Sequence, residues 1–240
     1  MTIITIEEHP FAQFVRILGK GKRGARSLTR EEAAQAMGML LDRQTEDSQL
    51  GAFLMLLRHK EESAEELAGF ADAVRSRLHT PALQVDLDWP SYAGKKRHLP
   101  WYLLAAKALA GSGIRILMHG GGLHTAGRLY SEQLLEMLEI PLCSDWPGVA
   151  DALEQQKLAF IPLGCWMPEL QRMIDLRNIL GLRSPIHSLA RILNPLQARC
   201  VQLARMVAQR IGNELKIPVF LYEQAAMRPE RTQLEWIRKG

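Results

Sequence analysis

The sequence predicts an α/β protein, with a small N-terminal helical domain ahead of a mainly parallel sheet. Residues before Pro81 carry helical spacing and two capping boxes. Beyond Pro81, short apolar runs alternate with helical stretches, the pattern of βαβ units. The chain has 240 residues, 47% of them hydrophobic and 23% charged, enough apolar surface for a real core. That composition excludes a disordered tail or a fibrous repeat. No apolar run approaches the roughly 20 residues that cross a bilayer. The start, MTIITIEEHP, lacks the basic region of a signal peptide. Cys143, Cys165 and Cys200 are odd in number and widely spaced, so they give neither a disulfide framework nor a metal pair. A cytoplasmic setting without a membrane partner is expected.

Expected limits are 1–81 for the helical domain, 82–199 for the α/β domain and 200–240 for an atypical C-terminal αβ segment. In the first, Phe11, Phe14, Val15 and Leu18 share one face of a helix over His9–Leu18. Thr29 with Glu32 caps a helix reaching about Leu41, and Ser63 with Glu66 caps one reaching about Leu78. Between them Asp47 caps a helix whose run Gly51–Leu57 is apolar nearly all round, which predicts burial, against a second subunit among the options. In the second, Leu83–Leu87, Ile114–Met118 and Leu158–Ile161 read as strands. Helices are expected over Trp101–Ala110, Thr125–Leu138 and Pro147–Gln156, the last N-capped by Asp145.

Charge is uneven along the chain. The net charge is +4, yet residues 165–240 carry twelve Lys or Arg against six Asp or Glu. The segment Gly19–Arg30, GKGKRGARSLTR, holds five cations and no acid. It reads as a phosphate-contacting arm or as a solvated linker between helices.

Ligands of parallel sheets bind at the carboxyl ends of strands. Two loops are expected there. WPSYAGKKRHLP (Trp89–Pro100) interleaves Lys95, Lys96, Arg97 and His98 with Trp89, Tyr92 and Trp101, the mixture that pairs with phosphates and stacks on bases. The alternative is a surface loop whose aromatics pack inward. HGGGLHTAG (His119–Gly127) places glycines ahead of an expected helix start, which fits anion binding or a tight turn. His119 and His124 lack accompanying carboxylates at ligand spacing, so a hydrogen-bonded structural role is favoured for His119. No Walker loop, serine elbow or carboxylate-built Mg²⁺ site is legible, and no cofactor is expected.

Residues from about 10 to 196 resemble the anthranilate phosphoribosyltransferase superfamily (glycosyltransferase family 3). The likeness is carried by SLTREEAAQAMGMLLDRQTEDSQLGAFLMLLRHKEESAEELAGFADAVR and by RNILGLRSPIHSLARILNP. It implies a helical domain that forms a homodimer and a larger α/β domain, which this chain carries in truncated form. It also implies departures. The family's glycine-rich donor loop falls on DLDWPSYAGKK, with Trp89 and Tyr92 in place of glycines. Its Lys-His-Gly-Asn-Arg motif falls on Met118-His119-Gly120-Gly121-Gly122. His119, Gly120 and Arg177 then mark a vestigial substrate site, with no residue assigned a catalytic role. WPSYAGKKRHLPWYLLAAKALAGSG and RILMHGGGLHTAGRLYSEQLLEML look like a divergent branch of the superfamily that binds DNA or RNA with little sequence preference.

On that reading Lys20, Lys22, Arg23, Lys95, Lys96 and Arg97 contact nucleic acid, with Arg172, Arg183 and Arg191 as further candidates. The alternative is a phosphoribosyl or glycosyl transferase, the one case requiring Mg²⁺. Residues 201–240 resemble a fragment of glutamate formiminotransferase: a helix, a strand over Pro218–Tyr222, then Arg-Pro-Glu-Arg.

Overall fold

The computed structural model describes residues 7–97, 99–122, 124–204 and 219–222. Four helices come first: α1 (Ala12–Gly19), α2 (Arg30–Leu41), α3 (Asp47–Lys60) and α4 (Ala64–Arg75). Both expected capping boxes are present, Thr29 with Glu32 and Ser63 with Glu66. The cap of α3 is Glu46 with Gln49 rather than Asp47, which occupies the first helical position. The bundle closes around edge-to-face rings, Phe11 on Phe14 and Phe53, and Phe53 on Phe70. Leu50, Phe53, Leu54 and Leu57 of α3 are buried within this same chain.

Glu66 is fully buried and satisfied, accepting from Leu28 N at 2.9 Å, Ser63 N at 2.7 Å and Lys60 Nζ at 2.7 Å. Helices α2 and α4 pack at Gly69, where a Cβ would stand 2.2 Å from the Arg30 carbonyl oxygen.

The second unit is a five-stranded parallel sheet, ordered β3-β2-β1-β4-β5. Its strands are β1 (Leu87–Pro90), β2 (Ile116–Gly120), β3 (Leu158–Pro162), β4 (Cys200–Ala204) and β5 (Val219–Tyr222). Helix α5 (Tyr102–Gly111) joins β1 to β2, and α6 (Trp146–Gln156) precedes β3. Asp145 caps α6 as expected, accepting from Gly148 N at 2.8 Å. Side chains alternate across the sheet. Leu87, Trp89, Ile116, Met118, Leu158 and Phe160 face α5, whereas Leu117, Ala159 and Ile161 face the helical unit.

After β3 the chain re-enters the helical layer as α7 (Leu163–Trp166), α8 (Pro168–Asp175), α9 (Arg177–Leu180) and α10 (Ile186–Leu189). Arg75 of α4 donates to the Ile192 and Leu193 carbonyls at 3.2 and 3.4 Å, and Arg43 pairs with Glu169 at 2.5 Å.

Three further expectations are corrected. The first strand is Leu87–Pro90, not Leu83–Leu87. Leu83 and Val85 do pack against the core, but ladder pairing starts only where Leu87 meets Ile116. The helix expected over Thr125–Leu138 is replaced by a single 3₁₀ turn, Ser131–Leu134. Gly127 is left-handed at φ 68°, Leu129 pairs as an isolated bridge with Lys95, and Tyr130 is extended, so no helix propagates. The helix expected after Arg199 begins instead as β4, because its first residues complete the open edge of β1. The rest of that expected helix and the Arg-Pro-Glu-Arg stretch lie outside the described residues. The expected strand near Pro218–Tyr222 is β5.

Candidate functional site

Strands β1 and β2 end together, with Pro90 opposite His119. The loops that follow therefore leave one carboxyl edge, as parallel topology requires. They are stitched to each other. Lys95 and Leu129 exchange backbone hydrogen bonds of 2.7 and 2.9 Å, and Arg128 Nη1 donates to the Gly94 carbonyl at 3.0 Å. Gly94 is required here, since a Cβ would stand 2.6 Å from the Tyr130 ring.

Beneath the loops lies a buried polar chain. Tyr92 Oη is 2.7 Å from His119 Nδ1, and His119 Nε2 is 3.1 Å from Asp88 Oδ2. Burial, with the charge of Asp88, pushes the Tyr92 phenol well above its ordinary range. Tyr92 thus donates to Nδ1, which leaves Nε2–H to donate to Asp88. All three residues are at most 1% exposed, and Trp166 packs edge-on against the imidazole. The chain orders the strand ends and has no face open to a ligand.

Gly120 and Gly121 do not form a phosphate cradle. A Cβ on Gly120 would meet the Phe160 ring at 2.8 Å and Ser91 O at 2.9 Å. One on Gly121 would meet Gln171 Oε1 at 2.8 Å and the Tyr92 ring at 3.2 Å. The protein's own side chains fill that space. Trp89 is buried as well, stacked on Tyr102 at 6.1 Å, and the Tyr102 hydroxyl bonds to Ser91 and Ser131. Among the described residues no three His, Cys, Asp or Glu side chains gather to hold a metal. The residues present therefore do not fit a Mg²⁺-bound diphosphate.

The candidate cations separate by environment. Lys20, Lys22 and Arg23 are exposed on the turn after α1. Lys96 and Arg97 are exposed on the β1–α5 loop, followed by Leu99 and by Trp101 at 53% exposure. Lys95 is half-buried with its ammonium 5.2 Å from the Tyr102 ring centroid. Among the described residues no hydrogen bond, ion pair or ring contact joins the α1 turn to the β1–α5 loop. Arg172 is neutralised by Glu169 at 3.1 Å and Asp47 at 3.5 Å. His98 lies outside the described residues.

Sequence reasoning missed Arg128, which meets Arg183 only through tertiary folding, and His187, which lies four residues from both Arg183 and Arg191. His124 and His187 stand edge to face at 5.0 Å. Each uses Nδ1 on a carbonyl, Gly122 O at 3.1 Å and Ser184 O at 3.2 Å, which makes Nδ1 the protonated nitrogen. Burial, then the charges of His124 and Arg183, drives His187 down to about 3. Burial lowers Arg183 too, followed by repulsion from Arg191, Arg177 and Arg128.

Fold and site define a parallel-sheet α/β protein with a helical domain, whose strand ends present cations instead of a carboxylate-built metal site. Comparison with known proteins gives the relationship. Residues 14–78 match the model of the glycosyl transferase family, helical bundle domain, and residues 185–240 match the formiminotransferase domain, N-terminal subdomain. The anthranilate phosphoribosyltransferase of Anaeromyxobacter dehalogenans (strain 2CP-C) is 31% identical over 175 residues, 72% of this chain and 52% of that protein. The uncharacterized protein YbiB of Escherichia coli (strain K12) is 27% identical over 189 residues, 77% of this chain and 59% of that protein.

The crystal structure of the Thermus thermophilus anthranilate phosphoribosyltransferase superposes with a TM-score of 0.67 at 23% identity, covering 88% of this chain and 59% of that one. The chain is thus similar to the helical bundle domain of the glycosyl transferase family over residues 14–78 and to anthranilate phosphoribosyltransferases over 72% of its length. It spans between 52% and 59% of the length of these relatives.

Proposed function

We propose that this chain binds single-stranded nucleic acid on a phosphoribosyltransferase-like fold, without transferase activity. The observation that carries the reading is the exposed Trp101, 53% accessible, next to the exposed cations Lys96 and Arg97. A large ring held in solvent four and five residues along the chain from two exposed cations matches what a strand needs: stacking for a base and charge for the backbone. Lys20, Lys22 and Arg23 extend the same electrostatic attraction without adding sequence discrimination. Pairing of two copies through the N-terminal helices belongs to the same proposal and is tested by light scattering.

Filter retention of single-stranded DNA at two salt concentrations tests binding. Retention should fall steeply as salt rises, and replacing Lys95, Lys96 and Arg97 together by alanine should weaken it. Absence of retention at low salt refutes the reading.

The named relatives favour a second reading, phosphoribosyl transfer, since a 31% identical protein is an anthranilate phosphoribosyltransferase. Against it stand the filled spaces at Gly120 and Gly121 and the buried Trp89. Calorimetry with phosphoribosyl pyrophosphate and Mg²⁺ separates the two, because a donor-dependent transferase gives saturable heat.

A further inference from the structure

We propose that Lys95, Arg128, Arg177, Arg183 and Arg191 form a site for one phosphate group carrying two or more negative charges. The proposal shares Lys95 with the nucleic-acid reading but is carried by the four arginines, not by Lys96, Arg97 or Trp101, and does not rest on that reading.

The five cations come from separate segments. Lys95 and Arg128 lie on the two stitched loops, Arg177 opens α9, Arg183 precedes α10, and Arg191 follows it. All are partly buried. Arg183 lies within electrostatic reach of Arg191, Arg177 and Arg128, and Lys95 within reach of Arg191. Among the described residues none of the four arginines has an ion pair. This contrasts with Arg26, Arg30, Arg43, Arg77 and Arg172, each held by a carboxylate.

Donors in the same place are unused. Arg177 Nη1, Arg183 Nη2, the adjacent Ser184 Oγ, and Tyr130 Oη within electrostatic reach of Arg183 are buried without a hydrogen-bond partner among the described residues. Buried polar groups are satisfied as a rule, so an orphaned set that converges with like charges points to a missing partner. Packing cations together without a counter-ion is unfavourable, and half-burial magnifies the repulsion. A single carboxylate would neutralise one of them. A phosphate brings more charge and several acceptor oxygens, and guanidinium forks match it in bidentate fashion.

The phosphate could belong to a small molecule or to the end of a nucleic-acid strand. Titration calorimetry on the full chain with inorganic phosphate, at constant ionic strength against chloride and acetate, tests the site. One saturable event per chain is expected with phosphate only. Arg183→Gln and Arg191→Gln should each weaken it at least tenfold, and Arg183→Lys less. The proposal is overturned if phosphate gives no heat beyond chloride, if acetate binds equally well, or if folded variants bind like wild type. Should the variants fail to fold, the wild-type thermal midpoint decides: phosphate must raise it and acetate must not.

Competition by a 5′-phosphorylated oligonucleotide and its 5′-hydroxyl twin identifies the source. Preference for the phosphorylated strand assigns the site to strand ends, no competition by either strand assigns it to a small phosphate, and equal competition by both overturns the requirement for a phosphate with two or more charges. Phosphate binding without DNA retention would sink the nucleic-acid reading and leave this one intact.

Discussion

His119 lies 3.1 Å from Asp88 across neighbouring parallel strands, and both residues are sealed from solvent. One acceptor atom, Asp88 Oδ1, has no partner among the described residues. The arrangement looks like a catalytic relay in connectivity, yet nothing can reach it. His119→Ala should therefore act on stability: it strands a buried carboxylate and the Tyr92 hydroxyl together, a loss of about 3 kcal/mol or more. Urea unfolding followed by circular dichroism measures it. Retention of single-stranded DNA per folded molecule should be unchanged, and a selective loss of binding would show that His119 faces a ligand.

Gly69 supplies a second stability test. Its missing side chain lets α4 approach Arg30 and Ala33 of α2, and an added Cβ would stand 2.2 Å from backbone and 2.8 Å from Ala33 Cβ. Neither contact can swing away as a flexible side chain would. Gly69→Ala should destabilise by about 2 kcal/mol or more, despite the better helix propensity of alanine. A thermal midpoint equal to or above wild type would mean that the two helices separate freely.

Much of the fold was legible because its signals are local. Thr29 with Glu32, Ser63 with Glu66, and Asp145 each announce a helix start within four residues. The apolar run Leu158–Ile161 reads as a buried strand for the same reason. The misplaced first strand shows the opposite case. Asp88 and Pro90 argue against a strand locally, and only the partnership with His119 and the position at the strand end make them acceptable. The Thr125–Leu138 segment has helical apolar spacing, but the bridge from Leu129 to Lys95 overrides it. The site divides in the same way. Lys96, Arg97 and Trp101 are neighbours in sequence, whereas Arg128 meets Arg183 only once the chain has folded.

Histidine burial sets the acid limb of stability. His187 titrates at about 3 in the folded chain against 6.5 when unfolded, and His124 is lowered as well, both chiefly by burial. Below pH 6.5 the unfolded state takes up protons that the folded state refuses, so stability is full above 6.5 and falls progressively toward pH 3. Carboxylates act later. Glu32, held near 2 by Arg26, contributes only as pH drops below 4.5. Urea midpoints should therefore already decline between pH 6.5 and 5 in wild type. His187→Asn should flatten that interval without altering the loss below pH 4.5, and an unchanged slope would remove His187 from the account.

Trp101 offers the sharpest test of the proposed strand surface. It opens the turn into α5 with 53% of its surface in solvent, so its removal leaves no cavity. Trp101→Ala should leave the unfolding midpoint near wild type while weakening single-stranded DNA binding by about tenfold to a hundredfold, the loss of roughly 1–3 kcal/mol that one stacked base supplies. Trp101→Phe should recover part of it, because a ring of either kind can stack. The salt slope separates stacking from charge. It should persist in Trp101→Ala, whereas replacing Lys96 and Arg97 by alanine should lower it by about 0.7 for each single-strand phosphate no longer neutralised. Equal binding by wild type and Trp101→Ala, at matched salt, would show that the exposed ring does not meet the strand.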